Sequence, residues 1–331
     1  MTQDLQLINP ANAKPLCRRA DCLVDEDGQQ FPLSRGVYRF VEGDDYAESF
    51  GLQWNRFERT QIDRYRNGYR QSRDRFFAAT EWDARGLSGQ RILEVGSGAG
   101  RFTQVVLDET AAELYSVDVS SAVDANFRNN GHNERLHLFQ ASIYELPFAP
   151  GQFDKVFCFG VLQHTPDVRK SVECLVEMVR PGGELVVDFY PIKGWYTKLH
   201  VKYLLRPITR RMDNTALLRL IEKHADHLIA AYRVVHRFRI GRVAKRLIPV
   251  CDIDGTLPPD LDESSLREWV ILDTFDMFSP RYDQPQRIST VARWFRAFGM
   301  KSVWSGLVTY GENNSVAIVR GLRPSAVVDE G

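Results

Sequence analysis

Ile92-Leu93-Glu94-Val95-Gly96-Ser97-Gly98-Ala99-Gly100-Arg101-Phe102-Thr103 is the stretch of this chain with the plainest chemical purpose. An apolar strand ends in an acidic residue, three glycines follow at alternate positions, and a helix begins. Bare backbone of this kind lets a ligand approach the C-terminal edge of a parallel sheet, or lets φ become positive, where a side chain would prevent either. The pattern points to a nucleoside-containing cofactor. The dinucleotide spacing G-x-G-x-x-G fails, because Arg101 occupies its last position from either starting glycine.

A second apolar run, Leu114-Tyr115-Ser116-Val117-Asp118-Val119, ends in a carboxylate 18 residues after Gly100. A carboxylate there can accept both hydroxyls of a ribose. Further along come Gln140-Ala141-Ser142-Ile143 with Leu146-Pro147-Phe148, then Phe159-Gly160-Val161-Leu162-Gln163-His164-Thr165-Pro166-Asp167, then Arg180-Pro181-Gly182-Gly183 before the apolar run Leu185-Val186-Val187. In this order these five segments resemble the class I S-adenosylmethionine (SAM) dependent methyltransferases of the small-molecule type.

The resemblance implies SAM as cofactor, S-adenosylhomocysteine as product, and no metal. It places Glu94 near the methionine ammonium, with Gly96, Ser97, Gly98 and Gly100 beneath methionine and ribose. Asp118 and Val119 follow at the ribose, Ser142 and Ile143 at the adenine, and Phe159 and Gly160 on the cofactor side. Ser142 stands where the family commonly has Asp, so the backbone of Ile143 carries more of the adenine contact. Acceptor-side candidates for proton removal are His164, Tyr190, Asp276 and Tyr282, with His200 and Asp273 as further loop and lid residues.

Composition sets wide bounds. In 331 residues, 44% are hydrophobic, 26% are charged and the formal net charge is zero, so global charge favours neither nucleic acid nor membrane. The opening residues lack a signal-peptide pattern, and no apolar run approaches the roughly 20 residues of a bilayer span. Five scattered cysteines suit a reducing compartment. A cytoplasmic enzyme is expected.

The predicted fold class is α/β: a Rossmann-like seven-stranded sheet with helices on both faces and the last strand antiparallel. A mainly helical lid and a small N-terminal extension complete it. Strands are expected near 91–96, 113–119, 136–141, 153–159, 183–190, 301–310 and 315–322, with a helix near 287–299. Residues 1–45 read as a zinc-ribbon-like extension with only Cys17 and Cys22 as ligands, too few for a structural zinc site. Residues 46–190 read as the SAM-binding core with N-terminal helices, on which Phe50, Trp54, Phe57, Ile62, Tyr65 and Tyr69 recur at helical spacing. Residues 191–285 form the lid, 286–325 the end of the sheet and 326–331 a tail.

The lid is basic from Trp195 to Pro249, with 13 Lys and Arg against 3 acids, and acidic from Cys251 to Asp276, with 8 acids against Arg267. The halves either neutralise each other or the basic half meets an anion. Seven arginines between Arg56 and Arg75 pose the same choice between a solvated face and an acidic acceptor. Expected partners are a small-molecule acceptor, for which an anionic one is admitted, and a second copy as a homodimer. RNA methylation through Arg210, Arg211, Arg237 and Arg239, and a SAM-binding module without catalysis, are the alternatives. Asp252-Ile253-Asp254-Gly255-Thr256 matches the D-x-D-G-T nucleophile motif of haloacid-dehalogenase-like phosphatases, but too little chain follows it to build their separate domain.

Overall fold

A computed structural model describes every residue except 1–4, 44, 67, 69, 193, 195–199, 238–243, 259–260, 312–313 and 326–331. The expected tail, together with Tyr69 and Arg239, therefore lies outside the described residues.

The central strands are β5 (Arg91–Val95), β6 (Glu113–Asp118), β7 (Leu136–Gln140), β8 (Phe153–Cys158) and β9 (Val179–Phe189), all mutually parallel where they pair. Their near-continuous Val, Ile, Leu and Phe content follows from burial on both faces. β10 (Lys301–Tyr310) and β11 (Asn314–Leu322) close one side, β11 running antiparallel to both β9 and β10. On the other side the N-terminal strands β1 (Cys17–Arg19), β2 (Cys22–Val24), β3 (Gln30–Ser34) and β4 (Val37–Arg39) form a meander. Its last strand joins β7 in parallel, Val37 against Leu138.

The sheet order is β1-β2-β3-β4-β7-β6-β5-β8-β9-β11-β10. The expected seven strands are thus corrected to eleven. The N-terminal extension does not stand apart, because the edge of β7 offers unpaired backbone groups that β4 satisfies. The antiparallel strand β11 sits one place in from the edge, between β9 and β10. The Pro181-Gly182-Gly183 turn is also absorbed into β9. Lys155 pairs with Glu184 while Phe153 pairs with Val179, so the extra residues loop out as a bulge with Gly182 at φ +76°.

Helices cover both faces. α1 (Glu48–Arg56), α2 (Gln71–Thr80), α3 (Arg101–Glu109) and α4 (Ala122–Asn130) precede α5 (Val168–Met178). α2 and α3 bury Phe76, Val105 and Val106 against Ile92, Leu114 and Phe157. On the opposite face α5 and α10 (Ile288–Ala297) bury Val172, Leu175, Val291 and Phe295 against Leu185 and Val187.

Between β9 and α10 lie α6 (Val201–Thr209), α7 (Asn214–His236), the single turn α8 (Ile253–Thr256) and α9 (Glu263–Phe278). Asp213 and Asp262 cap α7 and α9 by accepting from the backbone N–H of Ala216 and Ser265. Leu217, Leu218 and Ile221 pack on Leu272 and Phe275, and Ile229 joins Tyr232 and Trp269, so these residues form core. Leu220 is exposed. Among the described residues no helix is long and apolar enough to cross a membrane.

Candidate active site

The strand order reverses between β5 and β8, since β6 and β7 lie to one side and β9 to the other. In such sheets a crevice opens beyond the carboxyl ends of the strands at the reversal. A cavity of about 780 Å³ lies there, within the range of roughly 300–1,000 Å³ for small-ligand sites.

Of the residues expected from sequence, Gly96, Ser97, Gly98, Asp118, Val119, Ile143, Phe159, Gly160, His164, Tyr190 and Asp276 line this cavity. Glu94, Gly100, Ser142 and Tyr282 do not. Gly96 has φ +84° and a Cβ would overlap Val161, so the loop after β8 packs directly on bare backbone. Gly100 has φ +87°, and a Cβ there would overlap Asn126 and Asn130 of α4. The missing side chain lets α3 start against α4. Trp54 of α1 covers Gly98.

The Asp118 carboxylate accepts from Gly98 N–H at 2.8 Å, from Ser120 N–H at 2.9 Å and from the Ser120 hydroxyl at 2.7 Å. It therefore ties the glycine turn to the end of β6. Ser97 Oγ is buried with no partner among the described residues.

Glu94 faces the other way. Its Oε2 accepts from Thr103 Oγ1 at 2.5 Å and Ser116 Oγ at 2.8 Å, and Asn126 Nδ2 donates to Thr103 Oγ1 at 2.8 Å. The carboxyl knits β5, β6, α3 and α4 beneath the turn. Burial pushes its pKa up to about 7 from 4.5. Between those values the folded chain holds a proton that the unfolded chain has lost, so stability falls as pH rises from 4.5 to 7. Glu94→Gln is expected to remove that fall, a difference on the order of 3 kcal/mol between pH 4.5 and 8 by chemical denaturation. A wild-type-to-variant difference that is flat across that range would show the proton is not held.

The acceptor-side residues form one contiguous group. His164 is buried, its Nδ1 lies 3.0 Å from the Tyr282 carbonyl, and its ring contacts Phe50 and Tyr190. Only the Tyr282 main chain takes part, which explains why its side chain is not at the wall. Burial lowers the His164 pKa, so the ring is neutral at pH 7. The Tyr190 hydroxyl donates to Asp276 Oδ2 at 3.1 Å, and burial with the carboxylates Asp276, Asp283 and Asp273 raises its phenol far up. Asp273 lines the cavity and burial pushes its carboxyl up to about 7, with Asp276 adding to the shift. Ion pairing to Lys202 at 2.9 Å holds Asp283, and Lys202 also sits over the Tyr190 ring.

Two wall residues, and one just behind the wall, escaped the sequence reading of the site. Gln53 on α1 is fully buried with both amide atoms unpartnered. Its polar character inside a buried helix face is the one signal that could have found it. Asp188 on β9 takes hydrogen bonds from Arg75 and from Gly160 N–H, so Arg75 fixes the loop after β8. Arg101, adjoining the glycines, is held by Ser72, Gln61 and Gln71 at 2.8–3.5 Å.

Most of the arginine-rich stretch is matched internally: Arg56 with Glu222, Arg59 with Glu58, Arg64 with Asp108, Arg73 with Glu109, Arg75 with Asp188. The basic and acidic halves of 195–276 meet likewise, through Lys245–Asp252, Arg233–Glu263 and His236–Asp254. Asp252, the first residue of the D-x-D-G-T match, accepts from Tyr232 and Lys245.

Residues 93–187 match the family described as a methyltransferase domain. Those residues run from β5 into β9, the part of the sheet that carries the glycine turn and Asp118. Among its relatives, an uncharacterized protein of Synechococcus sp. is 26% identical over 226 residues, 65% of this chain and 48% of that protein. A tRNA U34 carboxymethyltransferase of Idiomarina loihiensis is 30% identical over 33% of this chain and 35% of its own. A ubiquinone biosynthesis O-methyltransferase of Azoarcus sp. is 31% identical over 30% and 43%. The matched stretch spans less than half of each relative.

Proposed function

We propose that this chain transfers a methyl group from SAM to an oxygen of a small-molecule acceptor, a natural-product, glycan or lipid precursor. One observation carries the reading. A single cavity joins the glycine turn and Asp118 at one side to His164, Tyr190 and Asp276 at the other.

The residues present suit SAM. Asp118 would take the ribose hydroxyls, Gly96, Ser97 and Gly98 would lie under methionine and ribose, and Val119 and Ile143 would flank the adenine. Phe159 and Gly160 would close the cofactor side. SAM, when bound, supplies an activated sulfonium methyl. The chain then has to hold the acceptor oxygen in line and keep water out, which can contribute roughly 7–11 kcal/mol. It also has to take the hydroxyl proton. With Nδ1–H donating to the Tyr282 carbonyl, His164 Nε2 carries the lone pair for that step. Within 195–276, Arg233, Lys245 and His236 are each paired with an acid of the same segment.

Calorimetric titration with SAM and S-adenosylhomocysteine tests this reading. Micromolar binding is expected, weakened about 100-fold in Asp118→Ala, which loses the ribose partner and the anchor of Gly98 together. Binding equal in wild type and variant would overturn it.

A further inference from the structure

The hydrogen-bonding sense of the cavity wall says what the acceptor must offer. Asp273 and Asp276 lie one turn apart on α9, and both line the cavity. Asp276 takes the Tyr190 hydroxyl proton, so the phenol oxygen is left to accept. Asp273 has no hydrogen bond or ion pair with any described residue. His164 Nε2, on a ring only 5% exposed, is likewise unpartnered among the described residues, and the Nδ1 contact leaves it as a lone pair. Above pH 7, where Asp273 is ionised, this wall shows two carboxylates, a phenol oxygen and an imidazole lone pair, all acceptors.

The cations that line the cavity are engaged elsewhere. Lys202 pairs with Asp283, Arg75 pairs with Asp188, and Arg101 at the glycine turn is bound by Ser72, Gln61 and Gln71. Gln53, with a free amide, can serve in either sense.

Resting on the methyltransferase reading above, we propose that this end of the cavity selects an acceptor presenting adjacent hydrogen-bond donors, hydroxyl or ammonium, and bearing no carboxylate or phosphate there. One donor meets His164 Nε2 and its neighbour meets Asp273 and Asp276, which act as specificity determinants. An anion would face like charge from the two carboxylates, whereas a donor satisfies His164 Nε2, which is otherwise buried without a partner among the described residues. The two carboxylates at the wall thus argue against the acidic acceptor that the arginine-rich stretch admitted.

The test uses the full chain saturated with S-adenosylhomocysteine. Four aromatic probes are titrated by saturation-transfer NMR: catechol, phenethylamine, benzoate and phenyl phosphate. Catechol or phenethylamine is expected to bind at least tenfold more tightly than either anion, and the better of the two distinguishes hydroxyl from ammonium. Asp273→Asn and the Asp273→Asn/Asp276→Asn pair, each checked for native unfolding behaviour, should lose that preference at least tenfold. Anions binding as well as the donor probes, no probe binding, or a preference unchanged in the variants would overturn the proposal. Failure to bind S-adenosylhomocysteine at all would instead count against the methyltransferase reading.

Discussion

Arg75→Met is expected to destabilise the folded chain by about 3–5 kcal/mol, the usual cost of removing one partner from a buried ion pair. The Asp188 side chain is 2% exposed, and its charge is balanced by Arg75, whose own side chain is 16% exposed. The remaining partner of Asp188 is Gly160 N–H, which cannot compensate a full charge. Methionine keeps the unbranched stem but removes the guanidinium that lies over the Phe102 and Tyr310 rings, so the loss reports the ion pair together with those ring contacts. Urea denaturation measures it, and Asp188→Asn in the Arg75→Met background should recover part of the loss by removing the orphaned charge. A loss below about 1 kcal/mol would mean that water reaches Asp188 and screens it. SAM affinity should fall alongside, because Gly160 hangs from the same carboxylate at the cavity wall.

His164→Ala is expected to lower kcat with the cognate acceptor by about 10²–10⁴-fold while leaving the affinity for S-adenosylhomocysteine within a few-fold of wild type. The reason is the division of the cavity. His164 touches Phe50, Tyr190 and the Tyr282 carbonyl, whereas Asp118 bonds to the glycine turn and Ser120. The acid limb of the kcat/KM profile should lie below pH 6.5, since burial holds the imidazole neutral beyond its ordinary range. Neighbouring Asp276 and Asp283 oppose that shift and Lys202 reinforces it. An unchanged kcat would remove His164 from the chemistry and leave orientation alone as the source of catalysis. A tenfold loss of S-adenosylhomocysteine affinity would make it a cofactor contact.

How much of this was legible before folding differs residue by residue. The five parallel strands were readable because apolar runs buried on two faces cannot be disguised, and the glycines after β5 because left-handed backbone excludes most side chains. Asp118 was readable from its place at a strand end. Glu94 stands next to the turn in the pattern, but the bonds of its Oε2 to Thr103 and Ser116 were not legible, because they depend on how α3 and β6 meet β5. For Gly100 the pattern alone could not separate helix contact from ligand contact, since both demand the same missing Cβ.

Sequence alone determined the local elements and one fact of chemistry: a glycine turn after an acidic strand end, with a second carboxylate one strand on. Those are short-range properties, set by backbone sterics and by a period of two or 3.6 residues. Tertiary structure alone decided which charges are matched. Arg75 finds Asp188 across 113 positions, Arg320 finds Glu81 across 239, and the two halves of 195–276 close on each other. It also decided that β4 extends the sheet and that Asp273 is left without a partner at the wall. Pairing and burial depend on distances through space, and a chain written in order does not contain them.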